Sequence, residues 1–222
     1  MTTKSLLFPV DPAHRVSGIL VAPEAARATY VLAHGAGAGM HQKFLEAMAR
    51  GLAERGIATF RYNFPYLEAG GKRVDPPPLC HATVRAAVAE AARLLPGLPV
   101  IAGGKSFGGR MTSQAQAPEP LRAVRGLAFL GFPLHPPGKP SVERAAHLAD
   151  VKVPMLFLQG SKDEFADLAL LEPMVAKLGR PATLRLIEHA DHSFHVPAKS
   201  GRKDADVLSE VLDTLAQWIE GV

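Results

Sequence analysis

The chain has 222 residues, 47% hydrophobic and 21% charged, a balance that suits one folded domain spanning 1–222 around a sizeable core. Its formal charge is +4, yet Lys and Arg are scattered in runs no longer than two, so a nucleic-acid partner is not expected, and a lone cysteine, Cys80, rules out an intramolecular disulfide or a cysteine metal cluster. Met1–His14 lacks a signal core and no apolar run approaches the roughly 18 residues of a membrane span, so a soluble, cytoplasmic protein without a membrane partner is expected.

Leu6–Val10 and Ser17–Ala22 flank a polar turn and predict an opening antiparallel hairpin. Thr29–Ala33 is a compact apolar run of the kind buried on both faces of a sheet, and it runs into His34-Gly35-Ala36-Gly37-Ala38-Gly39. Phe44, Leu45, Met48 and Leu52 recur at helical spacing and predict a helix over 43–55, stopped by Gly56. Ile57–Tyr62 predicts the next strand, and 63–79, rich in Gly and Pro, an irregular loop. Ala82–Leu95 predicts a helix ended by Pro96-Gly97, with Cys80 a partly buried structural thiol at its start. A strand at 99–102 then meets Gly103-Gly104-Lys105-Ser106-Phe107-Gly108-Gly109, with a helix from Arg110. Gly126–Leu130 predicts a strand, 131–138 a rigid loop, Val142–Ala149 a short helix and Pro154–Gln159 a strand. A helix at Asp167–Leu178, a strand at Thr183–Ile187 and a helix at Asp204–Ile219 complete the chain.

Such alternation predicts an α/β fold, a mostly parallel sheet with helices on both faces and only a minimal cap between 131 and 150. Sheets of that kind hold their chemistry at the carboxyl ends of strands. Four strand ends carry matching parts. They are the glycine loop at 34–37, Ser106 within Gly104-Lys105-Ser106-Phe107-Gly108, the acid loop Gly160-Ser161-Lys162-Asp163, and Glu188-His189-Ala190-Asp191-His192-Ser193-Phe194. The second of these is a G-x-S-x-G nucleophile elbow, and the order serine, acid, histidine is the one an α/β-hydrolase uses. Gly104 and Gly108 allow the tight turn that pushes the serine out of the sheet.

The chemistry explains the residue types. A serine hydroxyl needs a base that takes its proton and returns it to the leaving group, and imidazole does both near neutral pH. A carboxylate fixes the imidazole tautomer. Ser106 is the candidate nucleophile and His192 the base, with His195 as the fallback. Asp163 is the candidate acid, against Glu164 and the helix-capping Asp167. The backbone amides of Ala36 and Phe107 are the candidate oxyanion donors. His34 is assigned to shaping the glycine loop, and His14, His41, His81 and His147 to the surface or to interfaces. Arg61, Tyr62, Asn63 and Tyr66 either line the substrate pocket or pin the irregular loop, and Lys105 is expected to face solvent. The cluster of His189, His192, His195 and Asp191 matches no metal-ligand spacing, so no metal is expected. Gly104-Lys105-Ser106 also resembles the end of a phosphate-binding loop, but Pro99 stands where that loop needs its first glycine.

Taken together with Arg61-Tyr62-Asn63-Phe64-Pro65-Tyr66, Arg110-Met111, Gly131-Phe132-Pro133-Leu134-His135 and Gln159, these motifs resemble the α/β-hydrolase superfamily across nearly the whole chain. More narrowly, they resemble small bacterial hydrolases related to dienelactone hydrolases and to the testis-expressed-30-like group. The resemblance implies hydrolysis of a small ester or related acyl substrate without a cofactor. Dienelactone hydrolases use a cysteine nucleophile, and position 106 is Ser, so their lactone substrate does not carry over. Members of the group that act as scaffolds supply the alternative of a binding protein on the same fold, and a nucleotide-binding protein is the minor alternative.

Overall fold

The computed structural model describes residues 1–222. Strands β1 (Thr2–Pro9) and β2 (Arg15–Ala22) form the antiparallel hairpin, each longer than its apolar run. Asp11 closes the turn, its Oδ1 accepting the amides of Ala13 and His14 at 2.8 Å each. Six more strands follow: β3 (Ala28–Ala33), β4 (Ile57–Tyr62), β5 (Val100–Lys105), β6 (Val124–Leu130), β7 (Met155–Gly160) and β8 (Ala182–Ile187). The eight make one sheet in the order β1-β2-β4-β3-β5-β6-β7-β8. From β4 to β8 every pairing is parallel, while β2 runs against both of its neighbours.

Helices α1 (Lys43–Glu54), α2 (Pro65–Glu68), α3 (Pro77–Leu94), α4 (Phe107–Gln116) and α5 (Leu168–Leu178) lie in the crossovers, and α6 (Asp204–Glu220) follows the last strand. The central strands β3, β4, β5 and β7 are buried along their whole length. Because successive strand side chains point to opposite faces, each strand feeds two cores. Tyr30, Leu32, Leu156 and Leu158 pack with Leu45, Met48 and Leu52 of α1 and Val211 and Leu215 of α6. Val31, Ala33 and Phe157 pack on the other face with Val84 and Ala87 of α3, Met111 and Ala115 of α4, and Leu171 of α5.

Several boundaries move from their sequence positions. Helix α3 begins at Pro77 rather than Ala82, and the loop after β4 contains the turn of helix α2. Both start with proline at the first helical position, where its fixed φ suits a helix and its missing N–H costs nothing. The short helix between β6 and β7 is a 3-10 helix, Glu143–Asp150, whose buried residues Ala145 and Leu148 stand three apart, the repeat of that helix. Strand β5 continues through Gly103 and Gly104 to Lys105, and α4 starts at Phe107, so a single residue separates strand from helix.

Candidate active site

That single residue is Ser106. Its backbone sits at φ 50° and ψ −116°, a positive φ that costs a non-glycine residue on the order of 1–3 kcal/mol. The flanking glycines make the turn possible. A Cβ at position 104 would lie 2.3 Å from the Ala33 carbonyl oxygen, and one at 108 would lie 2.5 Å from that of His34. The elbow therefore presses directly on the end of β3. The Ser106 amide donates to the Leu130 carbonyl at 3.1 Å, which anchors the turn to β6.

The candidate base arrives from the loop after β8. His192 Nε2 is 2.8 Å from Ser106 Oγ, and His192 Nδ1 is 2.7 Å from Asp163 Oδ2. The Asp163 side chain has no exposed surface, while that of His192 is 19% exposed. Burial of a carboxylate needs partners. Asp163 Oδ2 also accepts from Gln159 Nε2 at 2.6 Å, and its Oδ1 accepts from the Phe165 amide at 2.8 Å. The Phe165 ring lies against the imidazole with centroids 4.3 Å apart. The two loops meet backbone to backbone, since Lys162 N donates to Ala190 O at 2.8 Å and a Cβ at Gly160 would come within 2.4 Å of that same oxygen.

The competing acids and base lie elsewhere. Asp167 caps α5, accepting from the Ala169 amide at 2.9 Å, Glu164 is exposed, and His195 pairs with Asp204 at 2.9 Å on the surface.

The glycine loop after β3 runs alongside the elbow, with the Cα of Gly35 open toward Lys105 and the Ser106 Cβ, both 3.7–3.8 Å from an imagined side chain. The Ala36 amide has no acceptor within the protein. Phe107 is the first residue of α4, so its N–H has no intrahelical acceptor. His34 is buried under this loop. Its Nδ1 donates to Gly35 O at 2.7 Å and its Nε2 accepts from the Phe64 amide at 3.2 Å. Those two bonds specify the neutral ring, and burial pushes its pKa down to about 4. Three residues from the end of β4 hold the rest of the loop. Tyr66 Oη accepts from the Gly37 amide at 2.9 Å, Asn63 Oδ1 accepts from the Met40 amide at 2.9 Å, and an Arg61 guanidinium nitrogen donates to Met40 O at 2.7 Å. Tyr62, by contrast, points into the core between Phe8 and Phe64.

Two expectations are corrected. Lys105 does not face solvent: it is 6% exposed, and its Nζ donates to the main-chain carbonyl of His192. In a strand, neighbours alternate sides, so the turn that lifts Ser106 out of the sheet sends Lys105 beneath the base loop. A phosphate-binding lysine must be free to reach its ligand, and this one is occupied. His147 is also not an ordinary surface residue. Its Nε2 is 2.8 Å from Ser113 Oγ of α4, and burial lowers its pKa to about 4. Gln159 and Phe165 had no role assigned from sequence. The signal for Gln159 was a lone amide closing an otherwise apolar strand, and Phe165 offered none.

A serine on a strained elbow, an imidazole bridging it to a buried carboxylate, and two free amides thus come together after strands β3, β5, β7 and β8. The chain belongs to the α/β-hydrolase family, whose domain description matches residues 26–220. Its fold is shared by an α/β serine hydrolase homologue from Coxiella burnetii, at 21% identity and TM-score 0.77 over 98% of this chain and 97% of that one. It is shared too by a dienelactone hydrolase from Anabaena variabilis, at 22% identity and TM-score 0.78 over 99% and 97%. A third similar structure, from Xanthomonas campestris, is described as an α/β serine hydrolase without a lid, at 23% identity and TM-score 0.76 over 97% and 94%. No helix of the protein is long and apolar enough to cross a membrane.

Proposed function

We propose that the protein is a serine hydrolase that cleaves small ester or related acyl substrates through an acyl-enzyme. The observation that carries this reading is the unbroken hydrogen-bonded line from Ser106 Oγ through His192 to the fully buried Asp163. Ser106 Oγ attacks the acyl carbonyl while His192 Nε2 takes its proton. The carbonyl oxygen becomes an oxyanion held by the Ala36 and Phe107 amides, each donor contributing on the order of 3 kcal/mol to the transition state. Collapse breaks the ester bond, and His192 returns the proton to the departing alkoxide. A water, deprotonated by the same imidazole, then releases the acid and restores Ser106. Asp163 keeps the Nδ1 proton in place and stabilises the imidazolium throughout.

Arg61, Asn63 and Tyr66 bear on substrate by setting the shape of the loop that presents Ala36. Between β6 and β7 the only regular element is the 3-10 helix Glu143–Asp150, so the site is open. An open site favours short or solvent-exposed esters over long buried chains. The test is a fluorophosphonate probe on wild type and Ser106→Ala. Labelling of the wild type that vanishes in the variant is the expected result. A folded wild type that stays unlabelled and hydrolyses no ester overturns the reading and leaves a binding protein on a hydrolase fold.

A further inference from the structure

The acyl-transfer cycle leaves one buried charge without a task. Lys105 is the residue before the nucleophile, it is buried, and no carboxylate lies within ion-pairing distance of its Nζ. Its Nζ donates to the main-chain oxygen of His192, the same residue whose ring serves Ser106. The ammonium also lies over the face of Phe194, 5.5 Å from the ring centroid, a distance suited to cation–π attraction. Gly131, at φ 70°, leaves room for this. A Cβ there would stand 3.0 Å from Lys105 Nζ and 3.4 Å from both Asp163 Oδ2 and His192 Nδ1. The bare backbone of Gly131 is thus the floor on which the ammonium, the carboxylate and the imidazole converge.

We propose that Lys105 is a positioning residue of the hydrolytic site: its ammonium, held between the His192 carbonyl and the Phe194 ring, fixes the base loop in register with the nucleophile. The proposal rests on the serine-hydrolase reading above. Lys105 and Ser106 are covalent neighbours, so the loop carrying the base is tied to the elbow at two points. One is the Ser106–His192 hydrogen bond, which must break and reform in each turnover. The other is the Lys105 bond to the His192 backbone, which need not. A base that swings by about 1 Å from its place can lose on the order of 100-fold in rate, and the second tie restrains that swing.

The charge matters as well as the bond. The groups facing Lys105 are Asp163 from the loop after β7, and Asp191 and His192 from the loop after β8, while Gly35 and Gly131 bring no charge from β3 and β6. Burial lowers the Lys105 pKa to about 8, partly opposed by the two carboxylates. As pH rises through that value the ammonium loses its charge, its hold on the carbonyl weakens, and turnover falls.

The test compares kcat and KM for p-nitrophenyl acetate, and fluorophosphonate labelling, in wild type, Lys105→Met, Lys105→Arg and Ser106→Ala across the pH range. Lys105→Met, matched in length and apolar, is expected to stay folded and to label at Ser106. Its kcat should fall about 10- to 100-fold with KM changed less than about threefold, the pattern of an interaction that acts on the transition state. Lys105→Arg, a permanently charged donor, should recover part of kcat and lose the alkaline limb. A Lys105→Met enzyme with wild-type kcat and pH profile overturns the proposal. So does a wild-type kcat that stays level between about pH 7 and 9.5, a measurement that needs no variant to fold. A wild type that neither labels nor turns over removes the hydrolase reading itself, and the Lys105 role with it, whereas an active wild type confines any failure to Lys105.

Discussion

The Tyr66 hydroxyl accepts the Gly37 amide at 2.9 Å, joining the segment after β4 to the glycine loop after β3 across 29 residues of chain. Through this bond a side chain that does not belong to the Ser106–His192–Asp163 line sets the direction of the neighbouring Ala36 amide. Tyr66→Phe removes the acceptor and keeps the ring. It should lower stability by about 0.5–1.5 kcal/mol, the net worth of such a bond. It should also lower kcat by about tenfold, less than the loss of an oxyanion donor itself. Chemical denaturation and steady-state ester hydrolysis check both, and an unchanged kcat would separate the loop from the chemistry.

Asp163 is a buried carboxylate held by three donors, namely His192 Nδ1, Gln159 Nε2 and the Phe165 amide. Asp163→Asn keeps the volume but places an amide opposite His192, which turns the ring to the wrong tautomer. Turnover should fall by roughly 10³–10⁴-fold, with the far-UV spectrum unchanged. Hydrolysis within tenfold of wild type would show that the carboxylate is structural.

Acid should destabilise the protein through His34. Its folded pKa is lowered to about 4 by burial, while an exposed imidazole titrates near 6.5. A lowered folded value means that the unfolded chain binds the proton first as pH falls. The contribution of neutral His34 is therefore fully present above about pH 6.5 and is lost progressively toward pH 4, on the order of a few kcal/mol in all. His147, lowered to about 4 as well, acts in the same direction. Urea midpoints from pH 7.5 to 4.5 should fall steadily, and His34→Gln should reduce that slope without abolishing it. An identical slope in the variant would refute the assignment.

Much of the fold was legible because its signals are local. The apolar runs at 29–33, 99–102 and 154–159 are continuous and short, which marks strands buried on both faces, and the helices between them carry their own spacing and stops. Two of the boundary errors fall where proline acts as an initiator rather than a breaker. Pro65 and Pro77 open helices that composition alone reads as loop.

By itself the sequence determined the succession of strands and helices along the chain, the tight turn at Ser106, and the succession of serine, acid and histidine after strands, since each is read from residues close together in the chain. Only the tertiary structure decided which of the candidate acids and histidines meet. It gathered Ser106, Asp163 and His192 and left Glu164, Asp167 and His195 outside. It also gave Gln159 its carboxylate and turned Lys105 inward to a carbonyl 87 residues away. The physical reason is the same in each case. A buried polar group takes its partner from whatever backbone or side chain the packed sheet brings alongside, and that neighbour is set by strand order rather than by distance along the chain.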